Sequence, residues 1–235
     1  MKRILLAAIF LALTATAVHS NWRDFYQASR AQIDVQEYRL AAVVAPAPKP
    51  APKYEARMYG MTGLLGRLLN FSGGVDAALN AVTKAYPTVK TYPRRHIDKW
   101  RVLATAEANY RIDGLPIILS GHSMGADAAI WIAHRLNEKG IPVAALFSYD
   151  PTPLKPCVPD NVQAVIGWRN TLPLQLGGGL IDWCRKPAPG SPRAMERYDL
   201  RDFHTNIDDR ADVRAKTVKH VGEVVHMLRE MRGAK

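Results

Sequence analysis

Leu115-Pro116-Ile117-Ile118-Leu119-Ser120 runs into Gly121-His122-Ser123-Met124-Gly125, which runs into Ala126-Asp127-Ala128. The first six residues are nearly all apolar, the pattern of a short strand buried on both faces. From Ala126 to Lys139 the apolar residues recur at helical spacing, and Gly140 stands in the C-cap place. Only a tight turn fits between strand and helix. A serine on such a turn holds its hydroxyl clear of the backbone. Glycines two residues to either side keep the crossing strand and helix from colliding with it. The helix N-terminus beneath adds partial positive charge where an oxyanion would form. The bare Gly-x-Ser-x-Gly pattern arises by chance roughly 0.08 times in a chain of this length. The strand before it and the helix after it therefore carry most of the weight, and Ser123 is read as a nucleophile.

A reactive serine needs a base, and the base needs a carboxylate to orient it. On a strand–turn–helix nucleophile the expected chain order is Ser, then Asp or Glu, then His. Asp150 directly follows the apolar run Val143–Tyr149, at the strand end where α/β sites are built, and Pro151 and Pro153 fix the turn after it. His204 lies in Asp202-Phe203-His204-Thr205-Asn206-Ile207-Asp208, between the last candidate strand and the final helix. The other histidines fit less well. His122 neighbours the nucleophile and should point away. His134 lies in the following helix, His220 and His226 lie in the last one, and His96 precedes Ser123. Two backbone N–H groups should form the oxyanion hole. One is that of Met124, and the other is expected at Met61, in the Tyr59-Gly60-Met61-Thr62-Gly63 segment after the first strand.

Outward from these residues, strand and helix patterns alternate. Strands are expected at Glu55–Gly60, Val89–Tyr92, Leu115–Ser120, Val143–Tyr149, Val162–Trp168 and Glu196–Leu200. Helices are expected at Val75–Ala85, Ile97–Tyr110, Ala126–Lys139 and Ala211–Met231. The last has Val213, Thr217, Val221, Val224, Leu228 and Met231 on one stripe. Such alternation implies a mainly parallel sheet covered by helices.

The N-terminus reads differently. Lys2 and Arg3 precede a short apolar run, Ile4 to Leu13, and small residues follow around Ala15-Thr16-Ala17 and Val18-His19-Ser20. This is the pattern of a secretory signal peptide over 1–20, with secreted or periplasmic export implied; an uncleaved membrane anchor is the alternative. Residues 21–40 look helical and amphipathic. The alternating prolines of 45–53 favour an extended linker, so the globular domain is expected over 54–235. Export places Cys157 and Cys184 in an oxidising compartment, where a pair tends to bridge; the alternative is two buried thiols.

Net charge is +11, and +9 once Lys2 and Arg3 leave with the signal peptide. A basic surface favours anionic partners such as envelope lipid or glycan. The charges are scattered, without the aromatic-basic interleaving of single-strand binders, so no nucleic-acid partner is expected. No cofactor is called for, and no tight His/Cys/carboxylate set has metal-ligand spacing.

Three blocks, Gly121 to Ala128, Tyr149-Asp150-Pro151-Thr152-Pro153 and His204-Thr205-Asn206-Ile207-Asp208, carry a family resemblance. From about Glu55 onward the chain resembles bacterial lipase- and thioesterase-like α/β-hydrolases. The resemblance implies an α/β-hydrolase fold and hydrolysis of a small-molecule or lipid acyl ester or thioester through an acyl-enzyme. The place of Asp150 looks like that of pancreatic-type lipases. Many other α/β-hydrolases carry the acid one strand later, which would make it Asp182. There is little room before Glu55, so a reduced, mostly parallel sheet of about six strands flanked by helices is expected. The segment Thr171–Arg193, with Gly177-Gly178-Gly179, has the length of a modest flap. The competing reading is a non-catalytic envelope-binding protein on the same scaffold.

Overall fold

The apolar runs become six strands, and a computed structural model describes residues 54–64, 73–172 and 177–233 of the chain. The expected signal peptide, the 21–40 helix and the proline-rich 45–53 lie outside the described residues, as does the side chain of Met231. The elements are β1 (Ala56–Thr62), α1 (Gly73–Ala85), β2 (Val89–Arg95), α2 (Lys99–Asp113), β3 (Ile117–His122), α3 (Met124–Asn137), β4 (Val143–Tyr149), β5 (Val162–Asn170), β6 (Ala194–Leu200) and α4 (Ala211–Gly233). Short 3-10 turns at His96–Asp98 and His204–Asn206 precede α2 and α4. No helix among the described residues is long and apolar enough to cross a membrane.

The strands form one sheet in the order β2-β1-β3-β4-β5-β6, every pairing parallel. The chain steps outward from β1 to β2, returns past β1 to β3, and then proceeds in one direction. The order therefore reverses between β1 and β3, and the crevice at the carboxyl ends of such a reversal is where ligands bind in open parallel sheets. Ser123 is the residue that follows β3.

Period-two alternation divides the core. Ile117 and Leu119 of β3 pack with Ile130 and Leu136 of α3 and Val102 of α2 on one face. Ile118 of the same strand packs with Leu79 of α1 and Val221 of α4 on the other. The inner strands thus feed two layers, which is why β3 and β4 are buried along their whole length, while the edge strands β2 and β6 carry exposed polar residues. On α4 the buried stripe is Val213, Thr217, Val221, Val224 and Leu228. Its one polar member is satisfied twice. Thr217 Oγ1 donates to the Val213 carbonyl at 2.9 Å and lies 3.0 Å from the Tyr149 hydroxyl, tying α4 to the end of β4.

Four strands run further toward the carboxyl edge than their apolar residues indicate, among them β3, which continues through His122. β1 continues through Thr62, β2 through Arg95 and β5 through Asn170. Ladder bonds extend these strands where the side chains turn polar. Between β5 and β6 no helix occurs among the described residues. A disulfide between Cys157 and Cys184 (Cα–Cα 4.9 Å) and a parallel bridge pairing Val158 with Trp183 pin that crossover to the segment after β4. Ile181 and Trp183 take the packing place a helix would fill.

Candidate active site

The turn from β3 into α3 is as tight as its glycines suggest. Ser123 has φ 54° and ψ −127°. A non-glycine residue there costs of order 1–3 kcal/mol. A Cβ on Gly121 would come within 2.2 Å of the Gly125 carbonyl oxygen, and one on Gly125 within 2.0 Å of the Met61 carbonyl oxygen. Glycine is therefore required at both places by backbone approach. The Ser123 N–H donates to the Tyr149 carbonyl at 3.0 Å, so the turn hangs on the end of β4.

Ser123, His204 and Asp150 lie in one hydrogen-bonded chain. Ser123 Oγ–H donates to His204 Nε2 at 2.8 Å, and His204 Nδ1–H donates to Asp150 Oδ2 at 2.7 Å. An ionised carboxylate only accepts, which fixes the direction of the second bond and the tautomer of the ring. His204 is 8% exposed and Asp150 fully buried. Burial alone would raise the Asp150 carboxyl. The bonds from His204, from the Asn170 side chain and from the Asn170 N–H outweigh it and hold the carboxyl below its ordinary value.

All four acceptor positions of that carboxylate are filled. Oδ1 takes the Asn170 N–H at 2.8 Å and the Gly178 N–H at 2.7 Å; Oδ2 takes His204 and the Asn170 side-chain amide. Asn170 and Gly178 escaped the sequence reading. Asn170 ends β5 and looks like an ordinary strand terminator. The glycine run did carry a signal: a Cβ on Gly177 would lie 2.1 Å from Asp150 Oδ2 and 2.2 Å from His204 Nδ1, so only glycine passes over the pair.

The expected alternative acid is not near the base. Asp182 accepts from its neighbour Trp183 N–H and from Arg197, with a 56% exposed side chain. Asp150 already occupies the far nitrogen of His204, so the acid position belongs to the end of β4.

Met124 opens α3, where a first-turn N–H has no intrahelical partner. Met61 does not stand in a loop as expected. It is the penultimate residue of β1, paired to Arg94 of β2 and Gly121 of β3, with its carbonyl against Gly125. The strand runs on because its ladder continues on both sides. The end of β1 itself, from the Met61 carbonyl to Thr62, whose carbonyl carbon lies 3.0 Å from a Cβ on Gly125, is what passes over the start of α3.

Around this centre sit further polar groups. Asp127, one turn into α3, accepts the Thr152 N–H at 3.1 Å and the Thr152 hydroxyl at 2.7 Å, so the nucleophile helix holds the loop that follows Asp150. Burial raises Asp127 to about 6 against those bonds. His134 Nε2–H donates to the Cys157 carbonyl at 2.8 Å. Its Nε2 and the sulfurs of Cys157 and Cys184 lie within 4.8 Å of one another, a grouping that linear spacing did not reveal. Both sulfurs are joined in the disulfide, which leaves no thiolate there to ligate a metal.

A parallel sheet with its order reversed at β1, a serine on a tight turn after β3, a carboxylate after β4 and a histidine after β6 together define an α/β-hydrolase fold. No protein-family model matches the chain, and no curated protein matches its sequence. Solved structures do resemble it. The RedJ thioesterase of the prodiginine biosynthetic pathway in Streptomyces coelicolor is 15% identical, covering 82% of this chain and 96% of its own, with a TM-score of 0.45. A Xanthomonas campestris protein described as a hydrolase of the alpha/beta superfamily is 16% identical, covering 72% of this chain and 99% of its own, with a TM-score of 0.44. A cutinase-like protein from Cryptococcus sp. is 12% identical, covering 75% and 98%, with a TM-score of 0.44.

Proposed function

We propose that this chain is a serine hydrolase that cleaves carboxylic esters or thioesters through an acyl-enzyme on Ser123. The observation that carries the reading is the unbroken relay from Ser123 Oγ through His204 to Asp150, at 2.8 and 2.7 Å, on the carboxyl edge of the sheet. A binding protein has no need of all three groups in register.

In the reaction His204 Nε2 takes the Ser123 proton as Oγ attacks the acyl carbonyl. Asp150 stays ionised and steadies the imidazolium. The Met124 N–H and a second backbone donor from the chain just beyond Thr62 hold the tetrahedral oxyanion. Each such donor contributes about 2.7–4 kcal/mol to the barrier reduction in serine hydrolases. His204 then protonates the departing alcohol or thiol. It next activates a water that attacks the acyl carbon, releasing the acid and restoring Ser123.

The reading extends to location: the residues 1–20 direct export, and a disulfide between Cys157 and Cys184 fits an oxidising compartment. The basic surface would then face an anionic envelope.

The test is labelling of the purified protein with a fluorophosphonate, read by intact mass. One adduct on wild type, absent from Ser123→Ala and His204→Ala, is expected, together with turnover of short ester or thioester substrates that falls at least about 10⁴-fold in Ser123→Ala. A folded wild type that takes no adduct and turns over no ester would move the binding-protein reading forward.

A further inference from the structure

Behind the relay lies a second histidine–carboxyl pair that the reaction does not use. His122, the last residue of β3, is 2% exposed, and its Nε2–H donates to the main-chain carbonyl of His204 at 2.8 Å. The two rings are 4.7 Å apart, centre to centre. Asp208, four residues after His204, is 1% exposed. Its Oδ2 accepts the Val75 N–H at 3.2 Å at the start of α1, and its Oδ1 faces His122 Nδ1 at 3.7 Å. Asp208 Oδ1 finds no hydrogen-bond partner among the described residues.

We infer that His122 and Asp208 are positioning residues: together they pin the segment 204–208 to β3 and α1, and so hold His204 Nε2 at the nucleophile. The inference rests on the hydrolase reading and adds to it the device that sets the base.

The chemistry is consistent atom by atom. A carbonyl only accepts, so His122 must carry its proton on Nε2, which leaves the Nδ1 lone pair turned toward Asp208. Burial, with His204 close by, depresses His122 to about 3. Burial, with Asp209 adjacent, raises Asp208 to about 8, against the bonds it accepts from the backbone. Both groups are then neutral near pH 7, and the carboxylic proton can point at the imidazole lone pair. A neutral pair can sit beside the imidazolium that forms on His204 without competing with Asp150 for it.

The groups that bear on the pair are few. His204 and Asp209 share its loop, Asp150 lies at the end of β4, and the Gly74 and Val75 N–H groups come from α1. His204 can be held only through its main chain from this side, since both ring nitrogens are engaged by Ser123 and Asp150.

The experiment compares His122→Gln, His122→Asn and His122→Phe by fluorophosphonate labelling rate and by kcat and KM on one ester, with Asp208→Asn beside them. Glutamine carries an amide N–H to about the position of Nε2, asparagine falls one methylene short, and phenylalanine keeps the ring without a donor. Expected results are labelling within about threefold of wild type for His122→Gln and a drop of 10- to 100-fold for His122→Asn and His122→Phe. The loss should fall in kcat, with KM changed less than threefold. Asp208→Asn, which stays neutral at every pH, should label within threefold at pH 7. It should also retain activity above pH 8, where the wild-type carboxyl ionises beside His122. Should His122→Phe fail to fold, the glutamine–asparagine comparison decides alone. Equal rates for those two, or a loss confined to KM, overturn the inference while wild-type labelling leaves the hydrolase reading intact. No adduct on wild type overturns both.

Discussion

Ser123 occupies a backbone conformation that suits glycine better than serine, and the fold tolerates it because the hydroxyl must stand free. Asp150, at φ 45°, is the other non-glycine residue with positive φ among those described. Both belong to the relay, so the strain lies where the chemistry lies. Replacing Ser123 with glycine should therefore abolish labelling yet raise stability by about 1 kcal/mol, as relief of the strained φ outweighs the added freedom of the unfolded chain. Urea midpoints of the two proteins check this; a midpoint lowered in Ser123→Gly would mean the serine is not strained. At this scale the sequence was informative about polar residues at strand ends. Ser123 and Asp150 stood out because each closes an apolar strand, and His204 because it lies between the last candidate strand and the final helix; the structure places the three in hydrogen-bond reach. Asn170, Gly177 and Gly178 did not, because what matters in them is a backbone N–H, an amide or the lack of a Cβ. Their contacts reach 20 and 28 residues along the chain, from Asn170 and Gly178 to Asp150.

Among the elements, the crossover from β5 to β6 is the least regular. Like the crossover from β4 to β5, its described part has no helix; it is a loop held by the Cys157–Cys184 disulfide, the Val158–Trp183 bridge and the bond from the Gly179 N–H to the Pro151 carbonyl at 3.0 Å. The same loop supplies the Gly178 N–H to Asp150. A flap was expected over Thr171–Arg193, but its task of completing the acid's coordination was not, since proline and glycine signal turns and never their destinations. The strands and helices themselves were readable to within a few residues, because burial on two faces writes a simple pattern. The ends failed where pairing outlasted it, as at Thr62, and that is how Met61 came to be read as a loop residue. With the cysteines 27 positions apart in the chain, the disulfide should contribute roughly 3–4 kcal/mol. Cys157→Ala/Cys184→Ala should lose about that much by urea denaturation and label more slowly, as the Gly178–Asp150 bond loosens. A reduced protein with unchanged labelling would show that the loop holds its place by packing alone.

The whole molecule responds to pH through groups that change proton affinity on folding. Asp208, raised to about 8 from 3.8, keeps a proton that the unfolded chain has lost across that window, so its contribution to stability falls as pH rises. His122, lowered to about 3 from 6.5, acts in reverse, and its contribution rises with pH up to about 6.5. The two oppose one another between about pH 4 and 6.5, and above that Asp208 acts alone. Stability should accordingly fall by up to about 1.4 kcal/mol per pH unit between pH 6.5 and 8 from this group. Asp208→Asn should abolish that fall, measured by urea unfolding at a series of pH values. Parallel curves for the two proteins would mean that Asp208 titrates normally.

On the proposed hydrolase reading, the sheet order also governs when the protein becomes reactive. Ser123 leaves the ribosome well before His204, and between them β4, β5 and β6 must each find a parallel neighbour through a long loop closure, which is slow compared with local helix formation. Until β6 docks, Asp150 at the end of β4 has no His204 to orient, and the serine has no base beside it. On the proposed hydrolase reading, a nascent or partly folded chain in which β6 has not docked carries an inert serine, and the ability to cleave an ester would switch on only once His204 reaches it.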